Sequence, residues 1–68
     1  MNNLNSSIFI AFLFKLSTNY AALRNYANIE NFKKDKINEY LKDVSTEKEA
    51  NKRINTCIEN LVINKFDF

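Results

Sequence analysis

An all-α fold, a small three-helix bundle, is what this sequence predicts, and three observations carry the prediction. The 68 residues include neither glycine nor proline, whereas β-rich chains rely on Asn-Gly, Asp-Gly or Gly-X turns for their φ > 0 positions. Apolar residues recur three and four apart in three separate stretches, the period of a helix with one buried side. Between the stretches stand asparagine, serine and threonine. All three cap helices, and asparagine also tolerates the left-handed conformation at a helix end.

Taken in order, residues 1–5 are Asn-rich and are expected to form a disordered N-terminal tail. Ser6 or Ser7 then caps a first helix over about 6–27. On a helical wheel Phe9, Phe12, Leu13, Leu16, Tyr20, Leu23 and Ala27 share one side, the expected core stripe. Roughly opposite lies a second set, Ile10, Phe14, Ser17 and Ala21, at spacings of four, three and four. A helix of a lone monomer should be polar there.

Asn28 ends this helix and caps the second, over about 29–44, with Glu30 in the first turn where its charge complements the helix dipole. Asn31 is the competing cap, but it would put Lys33 and Lys34 in that turn with the wrong sign. The second helix buries Ile37, Tyr40, Leu41 and Val44, with Phe32 as an anchor near its start. Nothing makes the break obligatory, and one continuous helix across Asn28 is the alternative. Thr46 followed three residues later by Glu49 is a capping box, and it opens a third helix over about 46–65. That helix presents Ala50, Ile54, Cys57, Ile58 and Leu61 on one stripe, with Glu49 and Arg53 as an i,i+4 ion pair outside. Phe66 and Phe68 form an aromatic tail that folds back or docks elsewhere. Residues 6–68 thus make a single domain.

A chain of this size seldom draws more than about 3 to 5 kcal/mol from its own core and usually needs a staple. One cysteine forms no internal disulfide, and without histidine no ordinary zinc site assembles. Association with another chain is the staple left. The net charge of +2 creates no strong field toward nucleic acid or membrane. The apolar run 8–14 lacks the basic residues that precede the core of a signal peptide, since Lys15 comes after it. It is also far short of the roughly 20 apolar residues of a membrane span. The expectation is a soluble cytoplasmic protein, in whose reducing compartment the lone Cys57 stays a thiol.

Ordinary catalysis has little material. Acid–base and nucleophilic mechanisms most often use histidine, and phosphate-cradling loops need glycine; the chain has neither. No catalytic residue, metal ligand set or cofactor is assigned. Cys57, on an apolar stripe, is expected to be a small buried hydrophobe. Asp35, Glu39 and Asp43 recur every four residues and would align as an acidic edge or weak cation site, or more simply as a screened solvent face, which is the expectation.

Lys33, Lys34 and Lys36 near the start of the second helix are candidate nucleic-acid contacts of a helix-turn-helix. The fit is partial: Asn28 stands where glycine is common, and Arg24 and Lys34 occupy positions usually buried. The partner-binding residues expected are Ile10, Phe14, Ser17 and Ala21, whose a/d-like spacing suits a helix from another molecule. The expected function is therefore a small non-enzymatic protein-interaction module that self-associates as a homo-oligomer or binds a larger host protein. Its size, with a wealth of asparagine, lysine and isoleucine typical of AT-rich genomes, suggests a phage or mobile-element inhibitor of host machinery. The alternatives are a small helix-turn-helix-like DNA-binding regulator and a peripheral membrane protein using residues 8–14.

Overall fold

The computed structural model describes residues 4–65. They form four α-helices: α1, Leu4–Ser17; α2, Tyr20–Asn28; α3, Asn31–Lys42; and α4, Glu47–Val62. No strand occurs among the described residues, so the chain is all-α, with four helices where three were expected. Residues 1–3 of the expected N-terminal tail lie outside the described residues, as do Phe66 and Phe68. Because α1 starts at Leu4, Ser6 and Ser7 fall inside the helix and do not cap it.

The additional break divides the first expected helix at Thr18 and Asn19. Three consecutive polar side chains there offer the backbone local partners that compete with the helical ladder. Ser17 Oγ donates to the Phe14 carbonyl at 2.6 Å and Thr18 Oγ1 to the Lys15 carbonyl at 2.8 Å. The backbone tightens in step, with Thr18 N donating to Lys15 O and Asn19 N to Leu16 O. Asn19 then turns extended, at φ −133° and ψ 98°, and its side chain accepts from Ala22 N as the N-cap of α2. Asn19→Ala is expected to cost about 1 kcal/mol, which for a domain of this size lowers Tm by about 4–8 °C. A thermal melt followed by circular dichroism checks this, and an unchanged midpoint would show that the cap contributes nothing.

The second break falls close to where it was expected but is built differently. Asn28 is the last residue of α2 and does not cap α3. The extended Glu30 is the N-cap, without a side-chain cap bond. Lys33 and Lys34 do therefore enter the first turn. The unfavourable sign of Lys33 is offset locally, because Glu30 pairs with it at 3.6 Å. Extended backbone at Ile29 and Glu30 rules out one continuous helix. α3 stops at Lys42, two residues before the expected end.

At the third boundary Thr46 caps α4, its hydroxyl accepting from Glu49 N at 3.1 Å. The Glu49 carboxylate accepts instead from Arg53 Nε at 3.2 Å, so half of the expected box is replaced by the expected ion pair. α4 ends at Val62 in a Schellman turn. Asn64 takes the left-handed position at φ 60°, with Lys65 N donating to Asn60 O and Asn64 N to Leu61 O. Asparagine here does what glycine does in most such turns.

α1 and α4 form the spine, each packed against all three other helices, while α2 and α3 flank them and touch each other least. Buried in the centre are Ile8, Phe12 and Leu16 of α1, Ala22 of α2, Ile37 and Leu41 of α3, and Ala50, Ile54, Cys57 and Leu61 of α4. Tyr26, Tyr40, Val44 and Ile58 pack around them, partly buried. The third and fourth helices thus bury essentially the residues their stripes predicted. α1 does not. Phe9, Leu13, Tyr20, Leu23 and Ala27 of its expected core stripe are exposed, and Ile8 and Ala22, outside that stripe, are buried. Phe32, the expected anchor, is exposed as well. The reason for the rotated α1 lies in its composition: hydrophobicity is spread almost evenly around the helix, so no wheel position is preferred until neighbours choose one.

Candidate functional site

The rotation of α1 leaves a continuous apolar face on the surface. Ile8, Phe12 and Leu16, each four apart, point inward, and the adjacent rows Phe9–Leu13 and Ile10–Phe14 point away. Phe9 is 36% exposed, Ile10 66%, Leu13 42% and Phe14 70%. A groove of about 200 Å³ beside Phe9, lined also by Asn38, Leu41 and Lys42 of α3, extends the face to one side.

The helix under this face is held firmly. Phe12 sits with its ring edge-on to Tyr26, centroids 5.5 Å apart, and tilted against Phe9 at 6.3 Å. Lys15, the one charged side chain of α1, donates from Nζ to Asn55 Oδ1 of α4 at 3.3 Å, which draws it toward α4 and off the apolar face. The flanking helices are tied to α4 by side-chain bonds to carbonyls near the C-terminal ends of α4 and α3. Asn25 Nδ2 donates to Leu61 O at 2.7 Å. Arg53 Nη1 donates to Tyr40 O at 2.7 Å while its guanidinium stacks 4.8 Å from the Tyr40 ring centroid.

Of the four residues expected to bind a partner, Ile10 and Phe14 stand fully on the face. Ser17 is exposed at its end, its hydroxyl engaged with the Phe14 carbonyl. Ala21 is half-buried on α2, beyond the extended Asn19, so the strip does not continue as one helical seam. Phe9 and Leu13 join the site instead. Their signal in the sequence was ambiguous, because the same spacing that exposes them also suits a core stripe.

The lysines expected to meet nucleic acid are largely occupied by their own fold. Lys33 pairs with Glu30 and lies 6.0 Å from the Phe32 ring centroid, and Lys34 lies 5.4 Å from that of Tyr26. Lys36 is exposed beside Glu39 and Asp43 in a surface groove shared with Arg53. In a helix-turn-helix the two helices pack on one another; here α2 and α3 are the pair in least contact, and Arg24 is exposed. The Asp35, Glu39 and Asp43 row lies in solvent. Cys57 is wholly buried, and burial pushes its thiol up to about 12, against a smaller lowering by the Arg53 charge. A thiol so placed is neither nucleophile nor metal ligand near neutral pH. Among the described residues no helix is long and apolar enough to cross a membrane.

Fold and surface together define a small all-helical domain that carries an apolar face on its first helix, with Lys42 of α3 in the groove beside it. No family model, curated protein or solved structure matches the chain.

Proposed function

We propose that the protein is a non-enzymatic interaction module whose docking surface is the α1 face of Phe9, Ile10, Leu13 and Phe14. The observation that carries this reading is the exposure of two large side chains, Ile10 and Phe14, by about two-thirds each on a helix whose other side is the core. Contiguous exposed apolar surface on a small protein marks a contact site. Here it stands on a chain of a size whose own core seldom supplies more than about 3 to 5 kcal/mol. The protein works by covering or bridging a surface, in a reducing cytoplasm where Cys57 remains a thiol. An accessory inhibitor from a phage or other mobile element fits its size and AT-rich composition.

Ile10→Asp and Phe14→Asp place a charge at the centre of the face without touching the core. Each is expected to abolish association while leaving helicity near the wild-type level. Light scattering on the recovered protein, together with far-ultraviolet circular dichroism, reads both quantities. Association that survives in both variants would overturn the proposal.

A further inference from the structure

We infer that Thr18 and Asn19 form a hinge on which α1 is exchanged between two copies of the chain, each α1 taking in the other copy the place it holds in its own. The exchange uses the buried row Ile8, Phe12 and Leu16, not the exposed face of α1, so it goes beyond the docking reading and does not rest on it. The bend at the hinge is held by local side-chain bonds. Ser17 Oγ, Thr18 Oγ1 and Asn19 Oδ1 each bond a backbone group three residues away. Nothing in the backbone obliges the bend: the chain has no glycine or proline, and Asn64 is the one described residue with positive φ.

The apolar pattern runs through this bend as though it were absent. Phe9, Leu13, Leu16, Tyr20, Leu23 and Ala27 recur at spacings of four, three, four, three and four, the row of one continuous helix. In the bent chain only Leu16 of the six is buried, and Tyr20, just past the hinge, is 76% exposed. The bent fold therefore draws little from that row. Straightening also extends the helical ladder, because the first N–H groups of a helix lack intrahelical partners and those of α2 would meet the carbonyls of the last turn of α1. Against it stands chiefly the Asn19 cap.

α2 keeps its place when the hinge straightens, since Ala22 is buried in the core and Asn25 Nδ2 donates to Leu61 O of α4. A straight helix over 4–28, roughly 38 Å long, thus carries α1 off the core of its own chain and leaves Ile8 and Phe12 in water. Every element that α1 packs against, α2, α3 and α4, lies after the hinge, so a second copy offers the identical cradle. Two copies that trade α1 about a two-fold axis at the hinge recover all contacts outside it, the arrangement of a domain swap. Closed and exchanged forms then differ only at the hinge, and the hinge residues and the concentration set the balance.

The test reads exchange where Lys15 Nζ of α1 meets Asn55 Oδ1 of α4, at 3.3 Å. In an Asn55→Asp background a carbodiimide joins the new carboxylate to the Lys15 amine as an amide, with loss of water, where α1 lies on α4. Isotopically light and heavy chains are mixed equally, unfolded in urea, refolded at about 1 mM, cross-linked and digested for mass spectrometry. The hinge variant Thr18→Ala with Asn19→Ala is expected to reach twice the 8.0 kDa of one chain by light scattering, with helicity at or above the wild-type level. About half of its cross-linked peptides are expected to join a light strand to a heavy one, as random trading between two copies requires. Its dimerisation constant is expected to exceed that of the wild-type hinge about thirtyfold, from one lost cap in each of two copies. A folded hinge variant that stays at 8.0 kDa overturns the inference. A dimer whose cross-links join only like isotopes overturns it too, being held through a surface and not by exchange. So does loss of helicity in the hinge variant, because the exchanged form keeps every contact outside the hinge.

Discussion

Phe12→Ala is expected to remove most of the stability of this protein and to abolish a cooperative unfolding transition near room temperature. Phe12 is the largest fully buried side chain among the described residues and sits between Ile8 and Leu16 on the inward row of α1. Its ring meets Tyr26 edge-on at 5.5 Å, so the truncation loses both burial and an aromatic contact. Phe→Ala changes in well-packed cores cost about 3–5 kcal/mol, the lost transfer energy plus the cavity left behind. A domain of this length has in total roughly 3–10 kcal/mol, at about 0.05–0.15 kcal/mol per residue. The two quantities are comparable. Urea denaturation followed by circular dichroism decides it, and a loss below about 1 kcal/mol would mean that α1 is not seated by this residue. By contrast Phe14→Ala, at the same helix but on its outward face, is expected to leave the urea midpoint of the monomer nearly unchanged.

Stability is also expected to fall steeply at alkaline pH, with Cys57 as the main cause. Burial raises its thiol from 9.0 to about 12 in the folded protein, whereas the unfolded chain ionises near the ordinary value. Below about pH 9 both states hold the proton, and pH does not matter. Above it the unfolded state loses its proton first and gains free energy, so stability declines by up to about 1.4 kcal/mol per pH unit until the folded state ionises as well. The loss therefore runs through the window from about 9 to about 12. Tyr26, also raised by burial, adds a contribution of the same sign above its ordinary value of 10.0. Urea midpoints measured from about pH 8 to about pH 11 should show this slope in wild type and a much shallower one in Cys57→Ala, with the Tyr26 part remaining. Equal slopes in the two proteins would remove Cys57 as the cause.

Much of the fold was legible residue by residue. The stripe Ala50, Ile54, Cys57, Ile58 and Leu61 lies opposite a polar side of α4, so one orientation buries most of it, and the structure adopts that orientation with Ile58 at its half-buried edge. Ile37 and Leu41 of α3 follow the same logic. Thr46 was legible as a cap because a hydroxyl before a helical run has a free backbone N–H within reach. Asn19 has the same chemistry and could have been found by it. An apolar pattern that continues across it, from Leu16 to Tyr20 and Leu23, concealed the break. Local hydrogen bonding from Ser17, Thr18 and Asn19 outweighed that pattern.

The candidate site was half legible for a related reason. Ile10 and Phe14 stood out as apolar residues opposite a proposed core stripe, and they are on the surface. Phe9 and Leu13 belonged to that stripe and are on the surface too, while Ser17 and Ala21 are parted by the extended Asn19. By itself the sequence determined that the chain is helical, that α3 and α4 turn particular faces inward, and that more apolar surface is present than a small core can hold. Only the tertiary structure decided which part of that surface is left over. α1 is apolar almost all round, so its own side chains favour no direction, and its rotation is chosen by where α3 and α4 can close over Ile8, Phe12 and Leu16 together.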